Sequence, residues 1–179
     1  MKNLIFLCAL ALLMSCSSTK VFMDYDKDTD FKAYQTYNYF LVEKTGLSEL
    51  DEKRVIEALD SILPQKGYSK KTIPDFNINF YVETYTVNSQ SSIGVGLGGG
   101  GGRVGGGVSG GIPINTSKDM IAFTLEFIDA LNKELYWQAV VETKLKNKQN
   151  PTERQAFFNM VIQKALEKYP PERTKKKKK

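Results

Sequence analysis

Phe76, Ile78, Phe80 and Val82 alternate with Asn77, Asn79, Tyr81 and Glu83. A period of two fits an extended strand with one face buried and one wet. The pattern returns at Ile121, Phe123, Leu125 and Phe127. After a turn around residues 129–133 it returns again at Leu135, Trp137, Ala139 and Val141, with Gln138 and Glu142 on the other face. These last two segments read as a hairpin. Residues 21–26 and 36–42 read as shorter strands rich in Val, Phe and Tyr, parted by the polar break Asp28-Thr29-Asp30.

One-sided strands need a second layer to cover them, and two helical patterns supply it. Ser48 is a candidate N-cap with Asp51 at the capping-box position. Val55, Ala58, Leu59 and Ile62 then build one apolar stripe, and Gly67 suits the left-handed position that ends a helix. The last element starts behind Pro151, with Thr152 and Gln155 spaced as a capping box. Phe158, Val161, Ile162, Ala165, Leu166 and Tyr169 follow as a wide stripe, and Pro170-Pro171 stops it. Strands and helices segregate rather than alternate. The expected fold is therefore α+β: a two-layer sandwich, with a mainly antiparallel sheet, two helices on one face and a long Gly-rich loop between strands.

That loop is expected over residues 89–115. Twelve of the fourteen glycines lie between Gly94 and Gly111, and such a segment loses much backbone entropy on ordering while offering little surface to bury. Gly94-x-Gly96-x-x-Gly99 matches a dinucleotide fingerprint, but chance matches abound here and no helix start follows to aim amides at a phosphate. Glycines four apart from Gly94 to Gly110 resemble a membrane glycine zipper, against which stand the helical cost of glycine and Arg103 in mid-segment. A third reading extends the hairpin as a Gly-faced ribbon, because Ile93, Val95 and Leu97 alternate with glycine.

The chain's beginning carries an address. Lys2 precedes an apolar run over residues 4–14, too short to span ~30 Å of hydrocarbon as a helix, but suited to a secretory h-region. Leu13-Met14-Ser15-Cys16 resembles the lipobox of bacterial lipoprotein precursors. The expectation is a lipoprotein signal peptide over 1–15, a lipidated Cys16 and a polar tether over 16–20. A single domain follows over 21–171, then a basic disordered tail over 172–179. Ser17 resembles outer-membrane sorting, so the expected place is the outer membrane, facing the periplasm. Two or more acyl chains on Cys16 would hold it there stably.

Composition narrows the chemistry. Lys2 and Lys175–Lys179 account for the +5 formal charge, since the rest of the chain has 19 basic and 20 acidic residues. The domain has no basic excess for nucleic acid. Cys8 leaves with the signal and Cys16 is acylated, so no thiol remains for catalysis, metal or disulfide. There is no histidine, which removes the usual general base near neutral pH and the commonest zinc ligand. Asp24-x-Asp26-x-Asp28-x-Asp30 has the carboxylate spacing of a calcium loop, without its glycine (Thr29 stands there) or its closing glutamate (Gln35). Near a strand break such aspartates cap turns. Glu126 and Glu142 are a carboxylate pair that could meet across strands. No catalytic, cofactor or metal residue is assigned, and the chain is not expected to be an enzyme. Tyr25, Tyr34, Tyr37 and Tyr39 suit core or rim packing, or a binding surface.

Several of these segments, in this order, resemble a bacterial lipoprotein family, domain of unknown function family 4136. They are Val21-Phe22-Met23-Asp24-Tyr25-Asp26, Asp30-Phe31, Tyr34-Gln35-Thr36-Tyr37, the strand over 121–129, Lys133-Glu134-Leu135-Tyr136-Trp137-Gln138-Ala139 and Tyr169-Pro170-Pro171. The resemblance covers nearly all of residues 21–171. It implies an α+β lipoprotein domain and carries over no catalytic residue. Relatives often mix Tyr or Trp into the glycines, whereas this chain has neither between Ser89 and Asn115. The expected function is a non-catalytic, membrane-anchored envelope lipoprotein that binds another protein or an envelope polymer. The alternative is a carrier of a small apolar ligand between sheet and helices.

Overall fold

The computed structural model describes residues 19–40, 44–94, 111–145 and 148–172. Six strands form one sheet in the order β1-β6-β5-β4-β2-β3. They are β1 (Lys20–Tyr25), β2 (Thr36–Tyr39), β3 (Ser69–Lys70), β4 (Phe76–Gly94), β5 (Gly111–Asp129) and β6 (Leu135–Lys144), with helices α1 (Glu49–Gln65) and α2 (Pro151–Ala165). β4, β5, β6 and β1 pair antiparallel, while β2 runs parallel to both β3 and β4. The sheet is thus mixed, and α1 is the crossover that a parallel β2–β4 pair requires.

The alternating residues share one side. The register sets Ile78 opposite Phe127, Phe80 opposite Leu125, Phe123 opposite Val141 and Phe127 opposite Trp137. All seven are inaccessible, and with Val55, Leu59 and Leu63 of α1 and Phe158, Val161 and Ile162 of α2 they form one core. Leu63 is buried in this stripe, whereas Ile62 is half-buried at its edge.

Local chemistry explains where each helix begins and stops. Ser48 Oγ accepts from the Asp51 amide at 3.3 Å, but the Asp51 carboxylate turns to two arginines, so the reciprocal half of the box is absent. The other cap shifts by two residues from Thr152–Gln155. Asn150 accepts from the Glu153 amide, and Glu153 accepts from the Asn150 amide, both at 2.9 Å. Pro151 explains the shift: its fixed φ and missing N–H suit the first helical position, so the cap must precede it. Gly67 (φ +92°) closes α1. Its amide donates to Pro64 O and that of Tyr68 to Leu63 O, the paired bonds of a left-handed helix stop.

Two sequence expectations change. Leu135 is 47% exposed rather than inward. The register slips between Phe127 and Ile128, which pair with Trp137 and Leu135. Tyr136 is the extra residue of a bulge, and both it and Trp137 are buried. The segment 89–115 is not loop throughout: β4 runs to Gly94 and β5 starts at Gly111, paired without a break from Phe76↔Asp129 to Gly94↔Gly111. This extends the hairpin as far as Gly94 and Gly111; Val95 and Leu97, on which the Gly-faced ribbon reading also rests, lie with the rest of residues 95–110 outside the described residues.

Candidate functional site

The expected signal peptide over 1–15, Cys16 and the Lys175–Lys179 tail lie outside the described residues. What is described begins at Thr19, where the chain meets the sheet. Thr19 Oγ1 and Thr143 Oγ1 share a 3.1 Å hydrogen bond, and Lys20 pairs with Glu142. Among the described residues, no helix is long and apolar enough to cross a membrane.

Both helices lie on one side of the sheet, so the candidate surface is the other. Phe22 and Asp24 of β1, Gln138, Val140 and Glu142 of β6, Ala122, Thr124 and Glu126 of β5, and Asn79, Tyr81 and Tyr85 of β4 share it by register. Phe22 is 53% exposed. Asn79 is buried among its neighbours and donates to Glu126 Oε2 at 2.8 Å. Glu126 and Glu142 do not meet: Glu126 faces Gln138 while Glu142 faces Ala122. Four residues along one strand set the two carboxylates ~13 Å apart, too far to share a proton. The surface mixes aromatic rings with amides and carboxylates, which suits binding by stacking and hydrogen bonds.

The other polar clusters hold the fold together. Arg154 Nε and Nη2 donate to Asp51 Oδ1 and Oδ2 at 3.1 and 2.8 Å, and Arg54 Nη1 adds a bond to Oδ1 at 2.8 Å. Burial alone would raise the Asp51 pKa, but Arg154 and Arg54 outweigh it and hold the carboxyl below its usual range. Asp60 accepts from Tyr37 Oη at 2.9 Å, Tyr39 Oη at 2.7 Å and Lys70 Nζ at 3.0 Å. Asp75 accepts from the amides of Gln35 and Thr36 and from Thr36 Oγ1, fastening the start of β2 to that of β4.

The aspartate run serves turns. Asp24 Oδ1 accepts from the Tyr25 amide, Asp26 Oδ1 from that of Asp28, and Asp30 Oδ1 from that of Lys32 at the head of a short 3₁₀ turn. Among the described residues no three acidic, Cys or His side chains are grouped to hold a metal ion. Of the early tyrosines, Tyr37 is buried while Tyr25, Tyr34 and Tyr39 pack against the core's rim. Tyr34 stacks on Tyr136 with ring centroids 4.0 Å apart and planes within 7°. Burial, then the hydrogen bond to Asp129, raises the Tyr34 phenol to about 12. Between sheet and helices, where a small ligand would sit, Phe76, Phe80, Phe123, Phe127, Trp137 and Phe158 occupy the layer.

Sequence reasoning overlooked the Asp51–Arg154 contact. A signal existed: Asp51 stands four residues before Val55, and Arg154 four before Phe158, so each extends a buried stripe. Nothing in the spacing pairs the two.

The chain matches, over residues 21–171, the family model described as Domain of unknown function (DUF4136). No curated protein matches. Among solved structures it is similar to a PDZ domain protein from Parabacteroides distasonis, at 13% identity and a TM-score of 0.55, over 93% of this chain and 40% of that one. This chain thus spans two-fifths of that protein's length, and at such identity the likeness is one of fold. It is also similar to the PelC dodecamer from Paraburkholderia phytofirmans, at 12% identity and a TM-score of 0.41, over 83% of this chain and 95% of that one.

Proposed function

The chain belongs to the DUF4136 family, and on that premise we propose that it is a membrane-anchored envelope lipoprotein whose domain binds another envelope protein or polymer without catalysis. The observation that carries this reading is the helix-free sheet face from Phe22 to Tyr81, which sets an exposed aromatic ring beside amide and carboxylate groups at one rigid surface. The lipobox-like Leu13-Met14-Ser15-Cys16 supports attachment to a membrane by lipid. Only three residues separate Cys16 from β1, so the face would work close to that membrane, on the periplasmic side of the outer membrane.

A photo-cross-linking residue placed at Phe22 or Tyr81 in cells should give a discrete adduct, and one at Leu131, on the turn at the far end of the sheet, should not. Adducts absent from both face positions would defeat the binding reading. A Cys16→Ser form that still partitions with membranes would defeat the anchor.

A further inference from the structure

The starts of α1 and α2 stand together beside the end of β6, and between them lies a cavity of about 430 Å³. That size falls within the ~300–1,000 Å³ usual for small-ligand sites. Leu50, Leu145 and Pro151 give it an apolar wall, and its charged residues are Asp51, Arg54 and Arg154.

The charges do not balance. Two guanidiniums share one carboxylate: Arg154 takes both oxygens of Asp51, and Arg54 Nη1 shares Oδ1. The neighbouring acids are engaged elsewhere, Glu52 by the Thr45 hydroxyl and Glu153 by the Asn150 amide. A positive charge is thus left over, on side chains only 19% and 24% exposed. Charges so far from water are ordinarily paired.

Arg54 holds the spare donors. Among the described residues its guanidinium bonds only through Nη1, which leaves Nε and Nη2 for a ligand. Arg154 is committed at all three nitrogens, its Nη1 donating to Gln149 Oε1 at 3.2 Å. The amides of Asp51 and Glu153 already donate to Ser48 and Asn150. An incoming group would therefore be held by Arg54 rather than by the helix ends.

The ligand's chemistry follows from these groups. A guanidinium edge matches a planar oxyanion through paired N–H bonds. The single surplus charge suits a carboxylate. A phosphate monoester carries ~1.5–2 negative charges near neutrality, and the excess would face Asp51. Behind the anion, the apolar wall suits an aliphatic stem. Leu50, at the cavity mouth, is 65% exposed, and covering it takes apolar surface out of water.

We propose that this cavity binds a carboxylate on a short aliphatic stem, with Arg54 taking the anion and Leu50, Leu145 and Pro151 the stem. A free short-chain acid and the C-terminal residue of a peptide share that chemistry. The site lies on the helix side of the sheet and depends neither on the lipid anchor nor on the helix-free face.

Saturation-transfer NMR on the full chain in a mild detergent, with a detergent blank subtracted, tests this. Butanoate represents the free acid and N-acetylleucine the peptide end; butanamide and butylamine are the uncharged and cationic counterparts. At least one carboxylate should give a saturable signal, several-fold above that of butanamide or butylamine, and the stronger of the two identifies the source. Arg54→Gln should lower that signal several-fold while the Asp51–Arg154 pair keeps the fold. Leu50→Asp should do the same: an acid in the first turn suits a helix, but here it sets a like charge at the cavity mouth. No carboxylate signal from the wild type, equal signals from butanoate and butanamide, or carboxylate binding unchanged in either folded variant overturns the proposal. Cross-linking at Phe22 and Tyr81 is untouched by any of these results, so the binding face stands or falls separately.

Discussion

Asp51 on α1 and Arg154 on α2 meet through two parallel hydrogen bonds of 3.1 and 2.8 Å, 103 residues apart in the chain. Planar fork and planar carboxylate match, a geometry lysine could not reproduce. The guanidinium also lies 5.1 Å from the Phe158 ring centroid. The pair therefore ties two helix starts to one another directly above the core.

The pair should be worth more than a surface ion pair. Asp51's side chain is 11% exposed and Arg154's 24%, so removing Arg154 leaves a mostly buried carboxylate with Oδ2 unpaired and Arg54 as its one remaining cation. Arg154→Ala should lower unfolding stability by ~2–3 kcal/mol, below the ~3–5 of a fully buried pair. Urea denaturation at neutral pH checks this; a loss under ~0.5 kcal/mol would place the pair with exposed ones.

The same pair sets an acid limit. The folded Asp51 carboxyl is held below its usual range because the arginines outweigh burial. A depressed folded pKa adds stability that is complete above the unfolded value of ~3.9 and is lost as pH falls through the folded one. Wild-type stability should therefore drop below about pH 4, and Asp51→Asn should show a shallower drop. Equal slopes in acid titrations of the two proteins would refute the assignment.

At the alkaline end the sign reverses. Burial and then Asp60 raise Tyr37 and Tyr39 above the ordinary phenol range, and burial and then Asp129 raise Tyr34 to about 12. A raised folded pKa adds stability that is present below ~10 and is lost as pH climbs through the folded value. At about pH 11 the phenolate absorbance of the native protein should fall well short of that of the urea-unfolded chain. Coincident titration curves would count against these buried phenols.

Gly46 and Gly67 both have positive φ, at +74° and +92°, but only one is crowded. A Cβ on Gly46 would stand 2.3 Å from Val82 O, beside the Thr45–Val82 bond that ends pairing on that edge of β4; a Cβ on Gly67 meets nothing within 4 Å. Gly67→Ala should cost ~1 kcal/mol, the left-handed penalty alone. Gly46→Ala should cost about 2 kcal/mol or more. Thermal unfolding of the two variants decides it, and an equal loss would mean the edge segment moves aside.

Trp137 is the chain's sole tryptophan, is inaccessible, and its Nε1 has no hydrogen-bond partner among the described residues. Its native emission should be strongly blue-shifted from that of the unfolded chain and resist quenching by iodide. Emission near that of exposed indole would show water at the ring.

Periodicity alone determined most of the architecture. Alternation at Phe76–Val82 and Ile121–Phe127 defined strands with one buried side, and the stripes from Val55 and Phe158 defined helices able to cover it, because these periods are local properties of backbone geometry. The family resemblance and the lipobox-like segment at Cys16 are likewise legible in order and spacing. Tertiary structure decided what depends on pairing. A bulge turned both Tyr136 and Trp137 inward, register kept Glu126 from Glu142, and a 103-residue separation closed between Asp51 and Arg154. It also placed Thr19 beside Thr143, at the end of the sheet from which the β4–β5 ribbon departs. No sequence period encodes which strand lies beside which; that choice comes from burying all the apolar faces at once.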